Sequence, residues 1–342
     1  MQANIKSSKV RRYDAKKIIK EIYVYVILLL VIVALSYSKP DVEWFQRGHF
    51  LFPGSITNLL RISAPVIMIS SAFTFIFISG NIDLSVGSTL SLTTVFYAIL
   101  VLNGLGFFPA LLVTIILGVV LGGINGWLVM KLRITPVIAT LITMSAYQGI
   151  ARYLVPEGIS AIKSNDAAKM PEWMGNFSRN EVFIGLSWAF LAAMALVIVL
   201  VILQKRTVYG KYISAIGGNR TAAELSGINA VKVVWVTYIL LGAVAALAGV
   251  ARGSYLMIGE PYTGIGVETE AIIACLLGGT VFTGGEGSVV KSVIGALIIV
   301  CLTLGLQNLG AIPPYWQLLL KGIVLVFAVA LNRVLTIEKV AA

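Results

Sequence analysis

Apolar and polar positions alternate along this chain on a coarse scale. Ten mostly apolar runs, 22–38, 62–79, 84–102, 109–130, 134–151, 182–203, 233–251, 271–283, 289–309 and 315–331, are separated by polar joints that often carry glycine. Most approach the roughly 20 residues that an α-helix needs to cross a bilayer, and the joints leave little room for any other element. The pattern predicts an all-α, polytopic membrane protein of about ten transmembrane helices, forming one membrane domain over residues 22–333. The run 271–283 is too short to cross alone. It either extends into its glycine-rich flanks or forms a broken or re-entrant helix.

One joint is longer and more organised than the rest. Residues 204–228 read QKRTVYGKYISAIGGNRTAAELSGI, with Lys205, Arg206, Lys211 and Arg220 set against the single acid Glu224. Ala222, Ala223, Glu224 and Leu225 favour helix, Asn219 or Thr221 offers an N-cap, and Gly227 stands where a helix would stop. A short helix framed by glycines is expected, rigid in itself and hinged at both ends, which suits the transmission of a push from a soluble partner. An ordinary loop is the other reading. Residues 155–181 balance Lys163, Lys169 and Arg179 with Glu157, Asp166, Glu172 and Glu181. With Pro171, Trp173 and Met174 they are expected to form a small cap that can seat an extracellular partner.

Charge orients the spans. An inside amino terminus places the basic tail 1–21 on the cytoplasmic side, together with Lys131, Arg133, the cations of 204–228, Lys232, Lys291, Arg333 and Lys339. Lys39, Arg47, Lys163, Lys169 and Arg179 fall outside, so the bias of basic residues favours two cytoplasmic termini, with 334–342 as the second tail. Hydrophobic residues make up 58% of the 342-residue chain and charged residues 12%, with a mean hydropathy of +0.93. That excludes a soluble domain, and it assigns the net charge of +11 to membrane orientation rather than to nucleic acid. Cys275 and Cys301 both lie in apolar runs and read as packing residues; His49 is alone in a loop.

Candidate chemistry is sparse. Asp83, in the sequence ISGNIDLSVGS, lies between two apolar runs, where a charge at the bilayer centre costs on the order of 3 kcal/mol. Two readings are open. Asp83 N-caps the next helix in a tight turn, or Asn81, Asp83, Ser85 and Ser88 line a pathway at a broken helix. Glu268 and Glu270 stand at the start of the short eighth run, as first-turn acids or as a gate. Asn125, Gln148 and Asn308 are polar residues within spans, read as interhelical glue or as pathway lining. Residues 81–88 and 284–288 each place an acid and small residues at a short junction, a pattern that duplicated halves of a transporter would give. No P-loop, zinc-binding helix motif or nucleophile elbow is present. An ion-coupled carrier using Asp83 or Glu270 stays open.

Several motifs occur together and in order: Asn81-Ile-Asp-Leu-Ser-Val-Gly-Ser88; Tyr209-Gly210 through Gly217-Gly218-Asn219; Ala222-Ala223-Glu224-Leu-Ser-Gly227; Gly278-Gly279-Thr through Gly284-Gly285-Glu-Gly-Ser288; and Tyr315-Trp-Gln with Lys321-Gly322. Together, over about residues 55–333, they resemble the permease subunits of ribose-type sugar ABC importers. Gly80-Asn81 and Glu270 depart from the common pattern of two glycines before Ile82 and an Asp near 270. The resemblance implies a fold of the vitamin B12-importer type and a dimer with a second or homologous permease. It also implies a separate ATPase subunit that binds ATP and magnesium, no cofactor on this chain, and an extracytoplasmic binding protein that delivers a monosaccharide. The ATPase would dock on Tyr209, Gly210, Gly217, Gly218, Asn219, Ala222, Ala223, Glu224 and Gly227. Nucleoside and branched-chain amino acid permeases share this architecture.

Overall fold

A computed structural model describes residues 22–37, 50–156, 161–163, 169–183, 185–308 and, in the last run, 316, 319, 320, 322–324, 326, 327 and 330. The tails 1–21 and 334–342 lie outside the described residues, as do 157–160 and 164–168 of the outer loop. Helices dominate: α1 Ile22–Ser36, then α2 Pro53–Ile78, α3 Val86–Leu102, α4 Phe107–Met130 and α5 Pro136–Tyr153. A small cap follows, made of α6 Trp173–Arg179 and the antiparallel pair β1 Glu181–Phe183 and β2 Leu186–Ser187. The chain continues through α7 Trp188–Arg206, α8 Val208–Gly218, α9 Arg220–Leu225, α10 Ala230–Leu256, α11 Val267–Leu277 and α12 Val289–Asn308. Among the described residues, α2, α4, α7, α10 and the segment Val289–Gln307 are long and apolar enough to cross a membrane.

Burial separates the core of the molecule from its lipid-facing rim. In α2, 78% of the most apolar window is buried, against 17% in α7. Central α2 packs on α10, α12, α7 and α11, with Phe73, Phe75 and Phe77 fully enclosed. On α4, Phe108, Leu112, Ile116 and Val120 point outward; in a membrane these side chains meet acyl chains as apolar as themselves, so their exposure costs nothing. Helix α2 begins at Pro53, nine residues before the apolar run 62–79, because proline is well tolerated at a first helical position. Arg61 on its first turns pairs with Glu181 of the cap at 3.0 Å. Ser178 donates to the Ala251 carbonyl at 2.7 Å, and Arg179 Nε donates to the Tyr255 carbonyl at 2.7 Å, fixing α6 to the end of α10.

Helices α3 and α11 are each shorter than the helix before them. Helix α2 has 26 residues, and after the link 79–85 comes α3 with 17. Helix α10 has 27 residues, and after the link 257–266 comes α11 with 11. At 1.5 Å per residue α11 is about 16 Å long, half the hydrocarbon thickness, so the eighth run is a half-length helix. Its preceding link runs back along α3: Gly259 lies on Val95 and Ala98, and Gly264 lies on the Gly87 backbone and on Ser91, whose hydroxyl accepts from the Gly264 N–H at 2.9 Å. The link after the second long helix is thus 257–266, while the glycine-rich 284–288 joins α11 to α12.

Helices α4 and α10 cross with their backbones in close approach. A side chain on Gly118 or Gly122 would run into the backbone at Gly242 and Tyr238, and one on Gly242 into the Gly118 carbonyl. This small-residue stripe lets backbones approach without a hydrophobic driving force, and Trp235 Nε1 donates across it to the Gly123 carbonyl at 2.9 Å. Gly242→Val is expected to lower the unfolding temperature of the purified protein, with an overpacking cost of about 1–3 kcal/mol. Gly123→Ala, whose Cβ would find only Ile239 at 3.9 Å, should leave it unchanged. Equal effects of the two would refute a backbone-limited crossing.

Candidate functional site

The link 79–85 leaves the end of α2 and climbs back among the helices before α3 begins. Its non-helical backbone needs partners that a membrane interior does not supply. Tyr238, two turns into α10, donates its hydroxyl to the Ile82 carbonyl at 3.1 Å. Asp83, only 2% exposed, accepts from the Ser85 N–H at 2.8 Å and the Ser85 hydroxyl at 2.7 Å through one carboxylate oxygen. Its other oxygen accepts from Asn125 Nδ2 of α4 at 3.1 Å. Asn125 Nδ2 also reaches the Ser85 hydroxyl oxygen at 2.7 Å, and Asn125 Oδ1 accepts from the Tyr147 hydroxyl of α5 at 3.2 Å. The start of α3 and α4 thus meet on one buried carboxylate held by neutral donors, with α5 joined to it through Asn125; no ion pair to Asp83 occurs among the described residues.

This arrangement contains the local turn expected for Asp83, because its carboxylate receives the N–H two residues on. The N-cap position of α3 is Ser85 itself, whose side chain makes no capping bond and instead serves Asp83. Ser88 donates to the Ser85 carbonyl at 2.8 Å. Asn81 donates to the Ser79 carbonyl and hydroxyl, both at 3.0 Å. Gln148 of α5 donates to the Pro261 carbonyl at 2.6 Å, so it braces the second link as Asn125 braces the first. Glu268 sits beside Gly87 and accepts from the Gly266 N–H at 3.1 Å. Glu270, two residues on and so on the other side of α11, lines a cavity between α2, α10, α11 and α12. Asn308 closes α12 in the backbone; its side chain lies outside the described residues. Asn81, Asp83, Ser85, Ser88 and Asn125 are thus brought to one place, while Gln148 reaches from α5 to the second link and Glu268 and Glu270 lie on the first turn of α11.

At the opposite end from the cap, the 204–228 segment forms two helices, α8 and α9. Thr207 caps the first, its hydroxyl accepting from the Gly210 N–H at 3.4 Å. Asn219 caps the second, accepting from the Ala222 N–H at 3.0 Å, and Gly227, at φ +85, closes it. Gly217 and Gly218 lie inside α8 rather than in a hinge. They differ sharply. A Cβ on Gly217 would collide with the Ile78 carbonyl and the Gly285 amide, whereas one on Gly218 would meet nothing within 4 Å. Gly285 N–H in turn donates to the Ile78 carbonyl at 2.9 Å, so α8, the end of α2 and the α11–α12 turn meet backbone to backbone.

Tyr209, Gly210 and Ala223 face inward: the Tyr209 hydroxyl bonds Thr237 at 2.9 Å and its ring lies 6.2 Å from that of Phe75. Asn219, Ala222 and Glu224 are exposed, Glu224 in an ion pair with Arg220 at 2.9 Å, and Leu225 stands 85% exposed. Sequence reasoning missed Gln204. Its Nε2 donates to the Gly287 carbonyl at 2.9 Å and its Oε1 accepts from the Val289 N–H at 3.1 Å, clamping the end of α7 to the α11–α12 turn. A lone glutamine after an apolar run carries no signal of such a role.

The family profile described as "Branched-chain amino acid transport system / permease component" matches residues 55–329, and the chain belongs to that family. It is 34% identical over 307 residues to the ribose import permease protein of Bacillus subtilis, covering 90% of each chain. The galactose/methyl galactoside import permease protein of Escherichia coli is 32% identical over 330 residues, covering 92% of this chain and 94% of the relative. The D-allose transport system permease protein of the same organism is 32% identical over 313 residues, covering 91% of each. No solved structure gives a significant match.

Asn125→Asp would set a second carboxylate against Asp83 at the 3.1 Å contact, where like charges cannot both ionise cheaply. The variant is expected to unfold at a lower temperature than wild type, and Asp83→Asn added to it should restore most of the loss. Additive damage in the double variant would show that the two side chains do not act as one clasp.

Proposed function

We propose that this chain is the membrane-spanning permease subunit of an ATP-driven importer for a monosaccharide or a related small polyol-like solute. The observation that carries the reading is similarity over 90–94% of the chain to permeases named for ribose, galactose/methyl galactoside and D-allose. The fold is then a roughly ten-span permease of the vitamin B12-importer type, working beside a second copy or a homologous permease in the cell's inner membrane. Its amino- and carboxy-terminal tails are cytoplasmic. The chain itself binds no cofactor; ATP and magnesium belong to a separate ATPase subunit, and a binding protein outside the membrane delivers the sugar to the cap end.

Physical features support each part. Lys205, Arg206, Lys211 and Arg220 are all exposed around α8 and α9, as expected of a cytoplasmic surface. Leu225 and the exposed face of α9 offer an apolar knob and a capped, rigid helix to a groove on the ATPase. Behind that face, Gly217 rests on Ile78 and Gly285, so a displacement of α8 reaches the start of the 79–85 link and the α11–α12 turn together. Closure of the ATPase would push these two junctions, open the pathway outward, and let hydrolysis reset it. Asn81, Asp83, Ser85, Ser88, Asn125, Gln148, Glu268, Glu270 and Asn308 remain the proposed pathway group, in which Asp83 and Asn125 hold the first link in place.

Affinity purification from the native membrane is expected to recover an ATP-binding subunit in fixed ratio; recovery of the chain alone, moving solute in liposomes without ATP, would overturn the reading. Gly217→Val should abolish sugar-dependent ATP hydrolysis or the assembly itself, and Gly218→Ala should leave both near wild type. Retained coupling in Gly217→Val would remove α8 from the transmission path.

A further inference from the structure

We propose that the seam where α4 and α10 meet the membrane binds an anionic phospholipid, at the end of the molecule that carries α8 and α9. The two helices run antiparallel: Gly118 meets Gly242, Gly122 meets Tyr238 and Gly126 meets Trp235. The last turn of α4 therefore lies beside the first turns of α10. One side of this crossing is open. A side chain on Gly123 would find only Ile239, at 3.9 Å, and the Trp235 indole, tied to the Gly123 carbonyl at 2.9 Å, floors the gap. From Gly123 the same side of α4 continues through Trp127 to Lys131, at i,i+4 spacing, and from Ile239 the same side of α10 continues back through Val236 to Lys232. At 1.5 Å per residue the two lysines stand about 12 Å and about 10 Å beyond the contact of Gly123 with Ile239, so they come to nearly the same level. Arg133 follows in the turn to α5.

The surroundings specify the occupant. Trp127 is 44% and Val236 47% exposed, so the seam is walled by apolar side chains, and Trp127, one turn before Lys131, holds the position that indoles take at the boundary with lipid headgroups. Lys131, Arg133 and Lys232 are exposed, and no ion pair to any of them occurs among the described residues. The sequence has no acid between Asp83 and Glu157, nor between Glu224 and Glu260. Glu224, the acid closest in sequence to Lys232, is spent on Arg220 at 2.9 Å. Three cations without a counter-charge thus crown an apolar seam. Orientation in a membrane needs only that cations lie on this side; their convergence above the seam matches a molecule with a phosphate at one end and a hydrocarbon chain along its length. The phosphate diester would accept from the two ammonium groups and the guanidinium, and a chain would lie over Gly123 between Trp127 and Val236. A zwitterionic lipid brings its own cation to the same place, so the site favours a headgroup of net negative charge. An acidic surface on a soluble partner would use the cations and leave the seam uncovered.

The test uses the full chain reconstituted in bilayers and needs neither an ATPase nor a solute, so its outcome is independent of the importer reading. Bromine on an acyl chain quenches a tryptophan that it touches. Phosphatidylglycerol with brominated chains, diluted into unlabelled phosphatidylcholine, is expected to quench the protein at a mole fraction roughly tenfold lower than brominated phosphatidylcholine does. Trp127→Phe should remove most of that difference. Lys131→Gln combined with Lys232→Gln should abolish the preference, whereas Lys205→Gln combined with Arg206→Gln, which removes the same charge from the same end, should retain it. Equal quenching by the two lipids in the wild-type protein would overturn the site. A preference that survives Trp127→Phe undiminished would put the lipid elsewhere, and equal loss in the two double variants would reduce the effect to total charge; either result overturns the seam. Should a variant fail to fold, the wild-type protein still decides: a preference that persists at about 1 M salt, where exposed charges are screened, rules out the three cations as its cause.

Discussion

The structure depends on satisfying backbone polar groups where no water is available. A continuous helix does this by itself, but the links 79–85 and 257–266 do not. Each is paid for by side chains reaching in from neighbouring helices. Tyr238 covers the Ile82 carbonyl and Gln148 the Pro261 carbonyl. Ser91 accepts from Gly264, and Ile162 exchanges bonds with Gly259 at 2.8 and 2.7 Å. Asp83 is the strongest case: its buried carboxylate binds Ser85 at the start of α3 and Asn125 of α4, and Asn125 carries the link on to Tyr147 of α5. The donors of Ser85 and Asn125 are spent on this carboxylate and on each other. The polar residues within the spans are therefore placed by the breaks in the helices.

A second consequence concerns the end that carries α8 and α9. Contacts between side chains can slide through rotamers; contacts between backbones cannot. At Gly217, Ile78 and Gly285 there is no side chain to absorb a displacement, and Gly80, Gly284 and Gly285 hold left-handed conformations that other residues rarely adopt. Gln204 adds a two-point clamp on Gly287 and Val289 from the end of α7. The result is a stiff junction among α2, α7, α8 and the α11–α12 turn. The capped helix α9 is held less tightly, mainly through Ala223.

Much of this was legible in the sequence, for identifiable reasons. Apolar runs mark spans because composition alone decides solubility in lipid, and the Asn219 cap with the Gly227 stop were readable because capping is local chemistry. The start of α2 was not, since Asn58 and Arg61 interrupt the apolar signal while their partners, Tyr255 and Glu181, lie far away in sequence. The glycine pair 217–218 looked like a hinge; which glycine is pressed against a neighbour is a tertiary fact that composition cannot carry. The half-length of α11 was signalled by the shortness of its run, yet the course of 257–266 along α3 was not, because that link matches α3 by shape through Gly87 and Gly264 rather than by a recognisable motif. For Asp83 the turn was readable from Ser85, whereas the pairing with Asn125, 42 residues away, was not.

The two long-short helix pairs constrain how the molecule can move. Helix α3 is trapped between them: its amino end hangs from the first link, and its length is lined by the second from Ala98 down to Gly87. Helix α10 grips the first link through Tyr238 and becomes the second link at its own end. A rigid shift of α10 relative to α2 therefore cannot alter one link and leave the other untouched. The junction of Ile78 with Gly285 adjoins the first link directly and α11 through its carboxy-terminal turn, so both broken helices are tied to it at the same end. Independent movement of the two links would require α3 to slide past Gly264, and the contact of Gly87 with Gly264 leaves no clearance for that. Concerted motion of the paired links is the mode this packing permits.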